Sequence, residues 1–373
     1  MTNACNLRCL YCYQDHKGKE QFEIQKVLAS VSQAFREHQG ESVVVHFFGG
    51  EPLLEFELIK LLTHAIEQEW KSQGGLVSNL SFGIVTNGTL VNDEKIEWLR
   101  KHPNVKIFLS LDGNKQIQDK NRSNSYDLIA KNFDFFLSYN IPVKMTIGPD
   151  SVDVCSEGII DLHRIGFEVQ ANVVLENVWG THSEKIQHLK SFSNELTKLL
   201  TFYKNNPHIT RTTLIPPLTE FLPNPSRLSG WGMKLCGMGR NITTVNLDGS
   251  VYPCHRILPY YKSYENEIEY DRDAISPTLC EECELQPMCP ECRSCNFEYH
   301  RSTNHKTIFH CEFTKLQLRA SALITFYDIQ KIQKKVSLKE LDEQDRMFLV
   351  QRLYTAEFVE AYTREFYLDL IRQ

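Results

Sequence analysis

The chain has 373 residues, 42% of them hydrophobic and 24% charged, which is typical of a soluble globular protein with two or three domains. A net charge of −6 argues against a nucleic-acid partner, because such a partner needs a cationic surface. We find no long apolar run and no signal peptide, so we expect a cytoplasmic protein without a membrane partner. Its twelve cysteines are then better explained as metal ligands than as disulfides.

Three cysteines lie close together near the start of the chain. Cys5, Cys9 and Cys12 have the spacing C-x3-C-x2-C. Four thiolates satisfy a [4Fe–4S] cluster, so three leave one iron open to a ligand that is not protein. Zinc is the alternative metal, but it usually takes a C-x2-C pair with a distant second pair. The spacing therefore favours an iron–sulfur cluster with a reactive iron.

Strand-like apolar runs alternate with amphipathic helical segments from residue 20 to about 177. This alternation predicts an α/β fold with a parallel sheet built from βα units. The runs rich in β-branched or aromatic residues predict strands at 43–48, 81–86, 106–111, 142–147 and 171–176. The helices predicted between them include 53–73, 92–101 and 155–165.

Three polar loops that contain glycine follow these predicted strands: GGEP at 49–52, TNGT at 86–89 and SLDG at 110–113. Each alone is compatible with an ordinary turn between a strand and a helix. Ligands of parallel sheets bind at the carboxyl ends of the strands, where such loops project. Three of them downstream of the cysteine run therefore indicate one shared site.

The pattern changes after about residue 205. Regular periodicity fades, and cysteines become dense between 236 and 311, which predicts a small core held together by metal. Cys155 stands outside all cysteine motifs, and we expect it to be buried as a small hydrophobic residue.

The last segment, beyond 315, is predicted to be helical. Ser337 and Glu340 have the spacing of a capping box. Phe358, Tyr362 and Phe366 lie four residues apart, which favours core packing over a cofactor site.

The cysteine run together with GGEP, TNGT and SLDG resembles the radical S-adenosylmethionine (SAM) superfamily. The resemblance implies a partial TIM barrel of six βα units, with the amino and carboxylate groups of SAM on the open iron. Residues 1–4 are all that precede the cysteine run, where the family has its first strand, so either that strand is missing or the start is truncated. The implied cofactor contacts are Tyr11 at the adenine, Gly49, Gly50 and Glu51 at the methionine amino group, Ser110 at the methionyl part, and Asn87 near the cofactor or the substrate.

A further cofactor contact is implied by residues 118–122. Asp119 and Arg122 resemble the end of an H-D-x-x-R element, whose arginine meets the methionyl carboxylate. Gln118 replaces the histidine of that element, which leaves Arg122 untouched.

The later cysteines resemble the SPASM extension of peptide-modifying members of the superfamily. Eight of them suffice for two auxiliary [4Fe–4S] clusters, which makes three clusters in all, although paired C-x2-C units also occur in zinc ribbons. By analogy the outer cluster is bound by Cys280, Cys283, Cys289 and Cys311, and the inner one by Cys236, Cys254 and one or both of Cys292 and Cys295. The resemblance implies a radical SAM domain at 1–205, a SPASM domain at 206–315 and a helical C-terminal extension at 316–373.

The resemblance implies an oxidoreductase that cleaves SAM to a 5′-deoxyadenosyl radical and matures a ribosomally synthesised peptide (a RiPP). A thioether cross-link is the leading product, with a carbon–carbon cross-link as a close variant. An anaerobic sulfatase maturase, which forms formylglycine, is the first rival, but such maturases carry an extra cysteine that 237–248 lacks. A plain iron–sulfur electron carrier would have no use for GGEP or Arg122.

The implied partners are a precursor peptide and an electron donor such as flavodoxin or ferredoxin. Asp112, Glu176 and His255 are the candidates for a catalytic base, and the sequence does not choose among them.

Overall fold

The structure is a computed structural model that describes residues 1–14, 22–38, 41–176, 178–218, 237–238, 241–257, 283–285, 288–289, 292–303, 307–334, 336 and 340–373. The chain forms two compact units that alternate along the sequence. The first comprises Met1–Thr146, Asp161–Gln170 and Met238–Glu265, and the second Ile147–Ile160, Ala171–Gly237 and Asn266–Gln373. The segment bounds at 205 and 315 that the sequence suggested stay a prediction.

A parallel sheet of five strands confirms the predicted fold class. Its order is β1 (Val43–Phe47), β2 (Leu80–Thr86), β3 (Val105–Ser110), β4 (Val143–Ile147) and β5 (Val169–Val173). The first four strands pair in parallel, with Val45 opposite Phe82 and Ser110 opposite Lys144. The described part of the chain thus has five strands in this sheet, where the resemblance implied six βα units.

Helices follow the strands as predicted. They are α1 (Ile24–Glu37), α2 (Phe56–Ser72), α3 (Asp93–Lys101), α4 (Lys115–Asn121), α5 (Tyr126–Ala130), α6 (Phe133–Ser138) and α7 (Cys155–Ile165), with short 3-10 helices at Pro52–Glu55 and Val77–Asn79. Asn92 begins α3 by accepting a hydrogen bond from the Lys95 N–H at 3.1 Å. No helix in this described part combines the length and apolar character that crossing a membrane requires.

The two faces of the sheet differ in polarity. Successive side chains of a strand point to opposite faces. One face is buried, for example by Phe82, Ile84 and Leu109. The other remains partly open, and we call it the polar face; it carries His46, Phe108, Ser110, Lys144 and Gln170. Parallel sheets are usually covered on both faces, so a face whose strand residues are partly exposed in the described part of the chain is a candidate ligand surface.

A small hairpin, β6 (Thr244–Val245) and β7 (Val251–Tyr252), belongs to the first unit. It packs on α1, where the Ser30 hydroxyl donates to the Gly249 carbonyl at 2.6 Å. Gly249 has a φ of +82°, and a Cβ there would lie 2.6 Å from the Cβ of Lys26. Both the turn and the close approach therefore require glycine at this position of the SPASM-like pattern.

The second unit is built from α8 (His182–Asn205), α9 (Arg293–His300), α10 (Ile308–Gln333) and α11 (Glu343–Arg372). Trp179 and Phe313 form part of its core, with ring centroids 4.9 Å apart. A second buried cluster joins the last two helices and is formed by Leu218, Leu285, Met288, Leu318, Ala322, Ala356 and Val359.

The helical tail differs from the prediction in its start and in one of its aromatic residues, and the predicted capping box at Ser337 is not tested. It begins at Ile308 rather than after 315, because the first turns of α10 carry core residues such as Phe313. Ser337 lies outside the described residues, and α11 begins after Asp342, which caps it by accepting from the Asp345 N–H at 2.8 Å. Phe358 packs against the core as predicted, but Tyr362 is 36% exposed, so core packing was wrong for that residue. The buried stripe of α11 runs through Val359 instead.

Candidate functional site

The loop that carries Cys5, Cys9 and Cys12, residues 5–12, is held on one side by TNGT. The Asn87 amide donates to Asn6 Oδ1 at 2.9 Å, and the Asn6 amide donates to the Thr89 hydroxyl at 2.8 Å. The same Asn87 nitrogen lies 4.0 Å from Cys5 Sγ. Asn87, which the resemblance placed near the cofactor or substrate, thus lies beside the first cysteine.

The segment after α4 holds the other side of this loop. The Leu10 N–H donates to the Asn121 carbonyl at 3.0 Å. The Arg8 N–H donates to the Ser123 hydroxyl at 2.9 Å, and that hydroxyl donates back to the Arg8 carbonyl at 3.1 Å. The loop is therefore fixed by backbone hydrogen bonds close to Cys9.

GGEP runs against the residues that precede the cysteines. The Gly50 N–H donates to the Thr2 carbonyl at 2.7 Å, and the Glu51 N–H donates to the Ala4 carbonyl at 2.9 Å. A Cβ at Gly50 would lie 2.1 Å from the Ala4 oxygen, so the approach requires glycine. Gly49 and Gly50 hold this contact between GGEP and the chain entering the cysteine loop.

Glu51 joins GGEP to TNGT. Its side chain is 1% exposed and accepts from the Leu53 N–H at 3.0 Å, the Thr86 hydroxyl at 2.7 Å and the Asn87 N–H at 2.8 Å. Burial raises the pKa of Glu51, and these three hydrogen bonds oppose the increase. A carboxylate has about four acceptor positions, so most of its capacity serves to position the two loops.

SLDG is organised by Asp112, which is fully buried. Its Oδ2 accepts from Arg122 Nε at 2.9 Å, and its Oδ1 accepts from Arg122 Nη2 at 3.1 Å and from the Thr146 N–H at 3.0 Å. The Tyr11 hydroxyl also donates to Asp112. Asp112 thus binds the fork of Arg122 and the aromatic residue of the cysteine run together, and burial raises the pKa of Tyr11 well above its ordinary value.

Gln118 occupies the position of the histidine in the H-D-x-x-R element and positions the neighbouring SLDG loop. Its Oε1 accepts from the Asp112 N–H at 2.8 Å, and its Nε2 donates to the Ser125 hydroxyl at 2.8 Å. The side chain is fully buried. An amide supplies one acceptor and one donor here, so glutamine positions SLDG without a titrating ring.

The cysteine thiols are suited to bind a cluster. Burial raises the pKa of Cys9 to about 11 and also raises the pKa of Cys5. Within the described ranges, no group of three or more His, Cys, Asp or Glu side chains is placed to bind a single metal ion. In a cubane each thiolate binds its own iron. Three thiols on one anchored loop therefore fit a cluster with an open iron, which forms by releasing their protons.

The three candidate bases differ in their surroundings. Asp112 is committed to Arg122 and Tyr11, as described above. His255 lies in the first unit, with its ring 4.5 Å from that of Phe48 and 6.5 Å from that of Tyr13. Burial, with the nearby charge of Arg256, lowers the pKa of His255 to about 4, so the imidazole is neutral. Glu176 belongs to the second unit.

The later predicted ligands are distributed over both units. Cys254 is buried in the first unit, whereas the second unit contains Cys283, Cys289, Cys292, Cys295 and Cys311. Cys236 and Cys280 lie outside the described residues. None of the ten described cysteines forms a disulfide. Their assignment to an inner and an outer cluster stays a prediction.

Two further residues extend the sequence interpretation. Cys155 is fully buried, as predicted, and burial raises its pKa. Burial, together with the neighbouring Cys283 side chain, raises the pKa of Tyr362 to about 12. Nothing in the sequence signals this neighbour, since the two positions lie far apart in the chain.

The sequence model of the Radical SAM superfamily matches residues 1–154, the part that carries the cysteine loop, GGEP, TNGT and SLDG. The chain contains a radical SAM domain. The Radical SAM superfamily, to which this domain belongs, uses SAM and a [4Fe–4S] cluster.

Related sequences include enzymes and an uncharacterised protein. A protein of Methanocaldococcus jannaschii is 31% identical over 39% of this chain, and the chain spans 50% of that protein. The radical SAM cyclopropyl synthase TigE of Paramaledivibacter caminithermalis is 23% identical over 78% of this chain and 65% of TigE. A serine-type anaerobic sulfatase-maturating enzyme of Klebsiella aerogenes is 34% identical over 32% of this chain and 29% of that enzyme.

Solved structures share the fold of this radical SAM chain. The enzyme anSMEcpe, with bound AdoMet and the Cp18Cys peptide, has a TM-score of 0.66 and 19% identity, covering 88% of this chain and 96% of that one. SuiB of Streptococcus suis, bound to its precursor peptide SuiA, has a TM-score of 0.53 and 17% identity, covering 82% of this chain and 72% of that one. At these identities the likeness concerns the fold alone.

Proposed function

We propose that this chain is a radical SAM peptide maturase that installs an oxidative cross-link, with a thioether as the leading product, in a ribosomally synthesised peptide. The observation that carries the proposal is the anchored cysteine loop at the edge of a sheet whose polar face is open. SuiB and anSMEcpe, which share the fold, are each described with a bound peptide. The eight later cysteines add the electron acceptors that a net oxidation needs.

The chain's own residues supply positioning and electrostatics. Cys5, Cys9 and Cys12 would hold the cluster, and Gly49, Gly50, Ser110 and Asn87 line the loops that would receive SAM. When bound, the cofactor and cluster supply a 5′-deoxyadenosyl radical that abstracts a hydrogen atom from an unactivated carbon. Glu51 and Asp112 fix the loops around this site, because their carboxylates are saturated with hydrogen bonds from neighbouring segments.

The proposed cofactor set is SAM and three [4Fe–4S] clusters, and the proposed partners are the precursor peptide and an electron donor such as flavodoxin or ferredoxin. Each turnover would take one electron from the donor and release one methionine and one 5′-deoxyadenosine. The peptide would lose two hydrogens, one as the atom transferred to the nucleoside and one as a proton with its electron. The auxiliary clusters would supply the acceptor for that electron.

Formylglycine formation by an anaerobic sulfatase maturase is the second candidate function. It is favoured by the sulfatase-maturating relatives and by the likeness to anSMEcpe over most of both chains. It is disfavoured by the absence of a cysteine from 237–248. A carbon–carbon cross-link stays a variant of the first proposal.

One experiment separates these outcomes. Reduced, reconstituted enzyme is incubated with SAM and a cysteine-containing peptide encoded beside the gene, and the product is alkylated at thiols. A thioether gives a loss of two hydrogens and one cysteine that no longer alkylates. Retained alkylation with the same mass loss would move the bond to carbon–carbon. A product that reacts with a hydrazide would indicate an aldehyde and contradict the cross-linking proposal.

A further inference from the structure

Lys144, on the polar face, is half-buried and has no acidic partner among the described residues. Its Nζ lies 5.4 Å from the centroid of the Phe108 ring and donates to Gln170 Oε1 at 3.0 Å. Burial lowers the pKa of Lys144, and no neighbouring carboxylate raises it. Within the described ranges Lys144 forms no salt bridge, whereas Lys60 and Lys198 each lie 2.5 Å from a glutamate oxygen. A partly desolvated ammonium that donates to a neutral amide oxygen would be stabilised further by a bound anion.

His46 adds a neutral hydrogen-bond donor beside Lys144 on the polar face. Its ring centroid lies 5.3 Å from that of Phe108. Gly83 makes the approach possible, because a Cβ there would lie 2.5 Å from His46 Nδ1 and 2.7 Å from Phe108 Cε2. Partial burial, with the charge of Lys144, lowers the pKa of His46. The imidazole can therefore donate an N–H beside the ammonium without adding a second charge.

The position of Lys144 connects this cluster with the candidate site. Its Cα is the partner of the Ser110 Cα across the pair of β3 and β4, and the two side chains share the polar face. Arg122, another cation near SLDG, is already paired with Asp112. An acidic group bound above Ser110 would thus meet Lys144.

We propose that Lys144, with Phe108 beneath it and His46 and Gln170 beside it, forms a carboxylate subsite on the polar face of the sheet. One ammonium backed by an apolar ring matches the single charge of a carboxylate better than the higher charge of a phosphate. The carboxylate belongs either to the methionyl part of SAM or to an acidic residue of the peptide. The second source rests on the proposed function, whereas the first requires only the radical SAM domain.

The test uses two ligand pairs that differ in one carboxylate. The reconstituted full chain is titrated with SAM and with decarboxylated SAM, and then with a set of cysteine-containing hexapeptides that carry either one glutamate or one glutamine. The same dissociation constants are measured for Lys144→Met and Lys144→Gln. Lys95→Met is the matched control, since the Lys95 Nζ also lies over a phenylalanine ring, 5.0 Å from the centroid of Phe56.

We expect the preference for the carboxylate member of one pair to be about tenfold greater in the wild-type protein and Lys95→Met than in either Lys144 variant, as the loss of one charge-assisted contact predicts. A preference confined to the SAM pair assigns the subsite to the cofactor, and one confined to the peptides assigns it to the substrate. Equal binding within both pairs, or a preference that the Lys144 variants keep undiminished, would overturn the proposal. Failure of peptide maturation alone would appear as a missing cross-linked product while the SAM pair still differs.

Discussion

Arg122 grips Asp112 through two hydrogen bonds, at 2.9 Å and 3.1 Å, and both side chains are buried. Two of the five N–H donors of the guanidinium are thereby committed. The family resemblance assigned Arg122 to the methionyl carboxylate. The pairing indicates that its first role is to hold Asp112, and through it Tyr11 of the cysteine loop.

Arg122→Ala should therefore lower the stability of the cysteine loop as well as the affinity for SAM. Removing one partner of a buried pair leaves the other charge unpaired, which costs about 3–5 kcal/mol. We expect a corresponding fall in the free energy of unfolding and a loss of iron from the first cluster. Chemical denaturation and iron analysis measure both. Lys115→Ala is the control, since it breaks an exposed pair with Asp127. Full iron content with weakened SAM binding alone would return Arg122 to a direct cofactor role.

Glu51→Gln should loosen the junction of GGEP and TNGT. Three donors point at the Glu51 carboxylate, and an amide NH₂ cannot accept from them, so we expect a cost of about 1–3 kcal/mol in unfolding free energy. SAM binding should weaken with it. Glu97→Gln, at an exposed pair with Lys101, is the control and should leave both quantities nearly unchanged.

The effect of Glu51→Gln should also depend on pH. Burial raises the pKa of Glu51, so the folded protein binds this proton more tightly than the unfolded chain does. Ionisation of Glu51 therefore lowers the unfolding free energy as the pH rises from its ordinary pKa to the raised one. Glutamine does not ionise, so the stability difference between wild type and variant should shrink across that window. If the difference in unfolding free energy instead grows with pH, the hydrogen bonds to Glu51 lower its pKa by more than burial raises it.

The iron content of the reconstituted protein tests the predicted number of clusters. With three clusters, the reconstituted protein should hold about twelve irons per chain, and alanine at Cys5, Cys9 and Cys12 should remove about a third of them. Cys155→Ala is the matched control, because Cys155 is fully buried and lies outside the predicted ligand sets. It should keep all the iron. Tightly bound zinc with little iron would refute the cluster assignment.

The sequence predicted those parts of the site that depend on local pattern. Alternating runs located the strands, and the loops after them meet, since the carboxylate of Glu51 bonds the N–H of Asn87 at 2.8 Å. The burial of Cys155 also followed from its isolation among the motifs.

Side-chain pairing and long-range packing could not be predicted from the sequence pattern. Nothing in residues 110–122 signals that Arg122 turns to Asp112 or that Gln118 supports the Asp112 N–H. The hairpin around Gly249 joins the first unit through Ser30, a contact between residues 219 positions apart. Periodicity describes only which face of an element is apolar, and so it cannot specify such partners.

Tyr362→Phe tests whether Cys283 is a cluster ligand. The Cys283 side chain is a neighbour of the Tyr362 hydroxyl, and hydrogen bonds to cluster sulfur tune the reduction potential. Loss of a bond of about 1 kcal/mol should lower the potential of one auxiliary cluster by about 40 mV while iron content stays constant. Redox titration followed by electron paramagnetic resonance measures the shift. Tyr354→Phe, at a residue 72% exposed on the same helix, is the control. An unchanged potential in Tyr362→Phe would remove Cys283 from the ligand set.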